Sequence, residues 1–237
     1  MIEIQHLGWD SDFFNFKIGK VDIDALSKEE IAKVKEEQYK QNYDLLYLMT
    51  IDKRRASNLE DAITGVVLMD EKVTFSKKIN KETVYVNNRN ISEYKGCACS
   101  ELLELVYLSG HESRFKKDAE LAPYFEKMYK TWIDNSISGQ LADTVLVHGN
   151  NQNINGFVSL KKEELTGNIG LIATAKKQHG KGIGRQLMHA AENWYMRNKI
   201  TKATVVTQLS NTHACSFYKK NGYSIKEIQY IYHLWNK

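Results

Sequence analysis

Residues 178–192 read QHGKGIGRQLMHAAE, with Gly180, Gly182 and Gly184 at alternate positions and the basic Lys181 and Arg185 among them. Amide N–H groups at a helix start carry partial positive charge, and glycine lets an anion approach them without a Cβ in the way. A pyrophosphate is the natural guest, and Lys181 and Arg185 would add charge at the same end. The spacing predicts that the helix puts Ile183, Leu187, Ala191 and Trp194 on one face, with Arg185, His189 and Glu192 away from it. The Walker pattern is excluded because no Gly-Lys-Ser/Thr closes the run. The dinucleotide fingerprint G-x-G-x-x-G fails on spacing as well.

Two more groups could do chemistry. Asn211 and Tyr218 stand seven residues apart in NTHACSFYKKNGY, two helical turns, and so share a face. Asn211 is placed to cap that helix and Gly222 to end it. In SGHESRFKKD, Arg114 beside Ser113 offers a planar fork suited to phosphate oxygens. An ion pair with Asp118 is the competing reading for Arg114. The seven histidines show no HExxH or paired-ligand spacing, so no metal is expected. Cys97-x-Cys99 lacks the spacing and the second pair of a zinc site. Both cysteines read as structural. Glu104, His111 and Glu112 are weak candidates for a base.

Around these residues the chain reads as α/β. An extended aromatic start (Trp9, Phe13, Phe14, Phe16) precedes SKEEIAKVKEEQYKQ, with Ile31, Val34 and Tyr39 near helical spacing. YDLLYLMTID then reads as a strand and ASNLEDAITGV as a helix, with the basic cluster Lys53-Arg54-Arg55 in a solvated loop. VLMDEKVTFSKKI alternates in its later half as an edge strand would. Residues 80–100 are polar and patternless, which places the boundary between an N-terminal α/β domain (1–95) and a C-terminal domain (96–237). ELLELVYLSG is helical or extended, and PYFEKMYKTWIDNSI is a helix that Pro123 opens at no cost. DTVLVHG, INGFVSLKKE and GNIGLIATA suggest an antiparallel meander running into the glycine loop. KATVVTQL and EIQYIYHLW are strands, and the last has the composition to pair across a homodimer.

The composition suits a packed enzyme: 42% of the 237 residues are apolar and 11% aromatic, with a net charge of +4 from 33 basic and 29 acidic residues mixed along the chain. A nucleic-acid clamp would concentrate its basic residues, and here they are mixed with acidic ones along the chain. Three cysteines, an odd and sparse set, give no disulfide framework. No apolar run approaches the ~18 residues of a membrane span, and MIEIQHLGWD lacks a basic region followed by an apolar one. The cytoplasm is therefore the expected compartment.

The strand LIATA, the loop HGKGIG and the N-x-x-A-x-x-F-Y-x-x-x-G-Y run from Asn211 to Tyr223 together resemble the Gcn5-related N-acetyltransferase superfamily, over roughly residues 121–235. That resemblance implies a mixed, mostly antiparallel sheet flanked by helices, with acetyl-CoA as co-substrate. It implies that His179, Gly180, Lys181, Gly182, Ile183, Gly184 and Arg185 hold the pyrophosphate. Leu171, Ile172 and Ala173 would lend backbone groups to the pantetheine arm, Asn211 and Phe217 would touch the cofactor, and Tyr218 would be the general acid. The family usually has Gln or Arg where this chain has His179, and a neutral imidazole offers one donor. LGWDSDFFNFKIGKV, SGHESRFKKD, YKTWIDNSI and VVTQLSNTHACSFYKKNGY are similar to the TDP-fucosamine acetyltransferases, which acetylate the 4-amino group of a dTDP-4-amino-4,6-dideoxyhexose. This implies a dTDP-linked amino sugar as partner, with Ser113 and Arg114 at its diphosphate. Two alternatives use the same domain: acetylation of a protein N-terminus or lysine, and a catalytically silent acyl-CoA-binding module. The extra N-terminal segment speaks against the first and Tyr218 against the second.

Overall fold

A computed structural model describes residues 2–80, 89–150 and 153–236. The chain opens with β1 (Gln5–His6), α1 (Gly8–Phe14), β2 (Ile18–Asp22), α2 (Lys28–Lys40), β3 (Leu45–Thr50), α3 (Lys53–Ala62) and the long β4 (Val66–Lys78). After β5 (Ile91–Glu93) come α4 (Ser100–Ser109), α5 (Arg114–Lys117) and α6 (Phe125–Ile137). The remainder is β6 (Thr144–Asn150), β7 (Asn153–Glu163), β8 (Thr166–Thr174), α7 (Ile183–Arg197), β9 (Lys202–Gln208), α8 (Thr212–Lys220) and β10 (Ser224–Trp235).

The helices start where local chemistry satisfies their free amides. Ser27 and Glu30 form a reciprocal capping box on α2, and the Asp52 carboxylate accepts from Arg54 N at the start of α3. Lys53-Arg54-Arg55, expected in a loop, is thus the first turn of α3, and Arg55 donates to the carbonyls of Ile23 and Leu26. Pro123 lies in a 3-10 turn that leads into α6. The aromatic start is not extended. Ser11 Oγ donates to Leu7 O and accepts from Ile18 N, and the left-handed Asn15 ends α1, so Phe14 turns inward onto Phe115 with centroids 5.9 Å apart.

A mixed ten-stranded sheet runs in the order β1-β2-β3-β10-β4-β9-β8-β7-β6-β5. Among the described residues, only β2–β3 and β8–β9 pair in parallel. The sheet crosses residue 95 in both directions, because β10 inserts between β3 and β4 and β5 pairs with β6. Both sides of β10 are thereby used within the chain, which removes it as a free edge. β4, expected at an edge, is interior, paired with β10 and β9. Its alternation reflects two covered faces with different partners. Of the segment between residues 80 and 100, residues 81–88 lie outside the described residues.

Helices cover both faces of the sheet. One apolar cluster joins α4 and α6 to β3, β6 and β7 through Leu102, Val106, Met128, Ile133 and Val147. A second joins α7 and α8 to β4, β8 and β9 through Leu187, Met188, Val73 and Val205. A third seats α2 and α3 on β2, β3 and β10. Gln38 rather than Tyr39 completes the inner face of α2, donating to Leu234 O, while Tyr39 is exposed. No helix among the described residues is long and apolar enough to cross a membrane.

Two polar contacts tie these layers together. Glu192, expected on the outer face of α7, is buried, and both its oxygens accept from Lys77 Nζ of β4 at 2.8 Å. Lys77 also donates to Asn221 O at the end of α8. Asp118 accepts from His233 Nδ1 at 2.5 Å, Trp235 Nε1 at 2.9 Å and Glu120 N at 2.9 Å. Burial pushes its carboxyl up, but the bonds from His233 and Trp235 outweigh this and hold it below the ordinary range. Burial likewise holds His233 below its ordinary range. The pair is therefore a carboxylate with a neutral imidazole.

The side chains of Lys77 and Glu192 are only 22% and 3% exposed, so water screens the pair weakly. Lys77→Met leaves a buried charge uncompensated and should destabilise by about 3 kcal/mol in chemical denaturation; Lys77→Met combined with Glu192→Leu should recover most of the loss. Acid should also weaken the fold. A His held low in the folded state takes up protons more readily once unfolded, so stability falls as pH drops below about 6.5, and the depressed Asp118 extends the fall below about 3.9. The denaturation midpoint should decline from pH 7 to pH 5. His233→Asn should flatten that decline, with His189, also held low by burial, supplying the remainder.

Candidate active site

The site begins at the parting of two parallel strands. β8 and β9 pair from Thr166↔Lys202 to Ile169↔Val205 and no further. Beyond that point β8 stays with β7 and β9 stays with β4, ending at the Lys72↔Gln208 pair. The register of β7–β8 slips between Val158 and Leu160, so Ser159 faces a bulge at Gly170 and Leu171. Ser159 Oγ fills the lost ladder bond by accepting from Leu171 N at 2.8 Å. The bulge turns β8 away and leaves its β9-facing backbone open.

A cavity of about 220 Å³ occupies this opening. Gly170, Leu171 and Ile172 form one wall and residues 205–208 the other. The remaining lining comes from Asn211, Ala214 and Tyr218, from Ser113, Arg114 and Phe115, from Tyr129 and Trp132, and from Asp70 and Lys72 of β4. Six residues singled out from the sequence thus meet in one place: Ser113, Arg114, Leu171, Ile172, Asn211 and Tyr218.

Tyr218 is 4% exposed and sits among Phe75, Phe217 and Tyr223 with ring centroids 5.5, 5.5 and 6.3 Å away. Burial pushes its hydroxyl well above the ordinary tyrosine range. It therefore holds its proton at neutral pH. Asn211 Oδ1 accepts from Ala214 N at 3.0 Å, so the residue caps α8 while its side chain also faces the cavity. Arg114 makes no ion pair with Asp118, whose carboxylate is taken by His233 and Trp235. Its guanidinium stacks on Tyr47 and Phe115, 4.8 and 4.2 Å from the ring centroids. Arg114 Nε is buried with no hydrogen-bond partner among the described residues. A desolvated donor of this kind is costly unless something else meets it.

The glycine loop lies past the end of β8, where a 3-10 turn (Lys176–Gln178) leads to His179. Gly180 and Gly182 have φ of +80° and +78°, a region that disfavours side chains. Gly182 is the N-cap of α7 and offers no capping side chain to the first-turn amides. Gly184 lets α7 close on α8, since a Cβ there would come within 3.1 Å of the Phe217 ring. His179 Nε2 lies 3.2 Å from Thr174 O and its ring stacks near His213 at 6.0 Å. The imidazole is thus committed to the loop's own shape. Lys181 and Arg185 are exposed, Ile183 is buried, and Ala173 stands opposite Phe157 in the β7–β8 ladder.

The weak base candidates fall elsewhere. Glu112 is 3.4 Å from both Lys117 and His111 on the surface, and Glu104 and His111 border a separate cavity beside α4 and α6. Asp70, Lys72, Tyr129, Trp132 and Gln208 line the site but were not singled out from the sequence. A charged pair inside the apolar run VLMDEKVTF was the available signal, masked by reading β4 as an edge.

Residues 109–223 match the acetyltransferase (GNAT) family. A dTDP-fucosamine acetyltransferase from Escherichia coli O6:H1 is 32% identical over 132 residues, 54% of this chain and 56% of the relative. The spore coat polysaccharide biosynthesis protein SpsD of Bacillus subtilis is 24% identical over 56% of this chain and 46% of its own length. The chain thus spans about half the length of the curated relatives it matches. In fold, it is similar to a GCN5-related N-acetyltransferase from Sphaerobacter thermophilus, with a TM-score of 0.53 and 14% identity over 80% of this chain and 59% of that one. The parted strands, the bulge and the glycine-led helix all fall inside the span, residues 109–223, that matches the GNAT acetyltransferase family.

Proposed function

We propose that the protein transfers the acetyl group of acetyl-CoA to the 4-amino group of a dTDP-4-amino-4,6-dideoxyhexose. The observation that carries this reading is the meeting, in one cavity at the mouth of the parted strands, of a buried phenol, a strand backbone and a guanidinium whose Nε has no hydrogen-bond partner among the described residues. GNAT acetyltransferases use acetyl-CoA, and the dTDP-fucosamine acetyltransferase relative supports a nucleotide sugar as acceptor.

On this reading the amides that begin α7, with Lys181 and Arg185, hold the pyrophosphate, as unpaired helix-start N–H groups hold anions generally. The strand backbone at Leu171–Ala173 orients the pantetheine arm and donates to the acetyl oxygen as negative charge gathers there. Tyr218 hands its proton to the departing thiolate, which a buried, fully protonated phenol beside an apolar wall can do. Arg114, pre-oriented by its stack on Tyr47 and Phe115, forks onto the acceptor's diphosphate with Ser113 beside it. Residues 1–95 then serve as the part that shapes the acceptor side.

Tyr218→Phe should lower kcat by about 10²–10⁴-fold while leaving the Kd for acetyl-CoA nearly unchanged. Free-thiol release together with calorimetric titration checks both numbers, and an unchanged kcat removes Tyr218 from the mechanism. Arg114→Ala should raise the KM for the sugar nucleotide far more than that for acetyl-CoA. Equal effects on the two would assign Arg114 to packing alone.

A further inference from the structure

An ammonium cannot attack a thioester, so the acceptor amine must lose a proton inside the site. The described residues offer one carboxylate in the cavity wall. Asp70 of β4 is 5% exposed, and its Oδ1 has no hydrogen-bond partner among the described residues. It lines the same cavity as Tyr218 and Arg114. Its position is built: the β10–β4 register slips between Ile231↔Asp70 and Tyr232↔Leu68, and a bulge of that kind re-aims the side chain beside it. The ladder to β9 starts only at Lys72, which leaves Asp70 at the mouth of the opening.

Asp118 and Glu112 do not compete. Both Asp118 oxygens are taken by donors, and Glu112 is on the surface with Lys117 and His111. Resting on the reading given above, we infer that Asp70 is the general base that deprotonates the acceptor ammonium, working opposite Tyr218 as general acid.

The proton balance closes. Asp70 takes one proton from the ammonium and later releases it to solvent. The free amine forms the C–N bond, the C–S bond breaks, and Tyr218 protonates the sulfur. The nitrogen's second proton restores the phenol, leaving an amide, a thiol and one proton released.

The surroundings suit a base. Burial pushes the Asp70 carboxyl up, against the pull of Arg114 and Lys117 on α5, Lys72 on its own strand and the Gln208 amide of β9; Tyr129 of α6 and Tyr218 of α8 line the same cavity as neutral phenols. A raised carboxyl accepts protons more readily near neutral pH. It also costs stability in the ionised form, so its removal should not weaken the fold.

The test compares wild-type protein with Asp70→Asn, using thiol release from acetyl-CoA with dTDP-4-amino-4,6-dideoxygalactose and its gluco epimer, from pH 6 to pH 9. The expected result is a kcat/KM about 10²-fold lower at pH 7, a deficit that shrinks as rising pH lets solvent deprotonate the amine, with an unchanged Kd for acetyl-CoA and an equal or higher Tm. An Asp70→Asn profile matching wild type overturns the assignment and leaves the functional reading standing. A loss equal at every pH, with a lowered Tm, also overturns it, as the mark of a structural residue. A wild-type protein silent with both sugars overturns the functional reading and the base with it.

Discussion

The bulge at Gly170 and Leu171, closed by the Ser159 hydroxyl, is the constraint on which the rest of the site depends. A parallel pair that continued past Ile169↔Val205 would satisfy its own backbone and leave no cavity. One inserted residue sends β8 off with β7 while β9 remains with β4. An opening through the middle of a sheet would ordinarily strand polar backbone groups in an apolar core. Here it faces a lined cavity in which a ligand can meet them.

Elements far apart in the chain converge on that opening. β8 and β9 supply its walls, α8 its phenol, α5 and α6 its roof, and β4 its carboxylate. β4 is the element that unites the halves, lying between β10 and β9 and holding α7 through Lys77 and Glu192. It carries a fully used ion pair at one end and, at the other, an acid with one oxygen that has no partner among the described residues. The first contributes stability and the second withholds it. A buried carboxyl oxygen without a donor, like the lone Nε of Arg114, is a local cost that persists only where the surrounding core is strong enough to bear it.

Much of this was legible in the residue order. The extended runs DTVLVHG, INGFVSLKKE and GNIGLIATA marked β6, β7 and β8, apolar spacing marked α6 and α7, and Asn211 and Gly222 marked the ends of α8, because each signal depends on neighbours within a turn or two. The glycine loop and the Asn211–Tyr218 spacing were legible for the same reason. Misreadings arose where a distant partner decided the outcome. Glu192 looked like a surface residue until Lys77 met it across 115 positions, and the aromatic start looked extended until Ser11 folded it back on Leu7 and Ile18.

By itself, then, the sequence determined the mixed α/β elements, the strand-loop-helix unit with its exposed amides, and the helix face that carries Tyr218, since local periodicity and capping chemistry suffice for these. Only the tertiary structure decided that β10 and β4 lie inside the sheet, that Arg114 rests on Tyr47 rather than on Asp118, and that Asp70 reaches the cavity beside Tyr218. Strand order and burial depend on free energy summed over pairings far apart in the chain, and no short window of residues contains that sum.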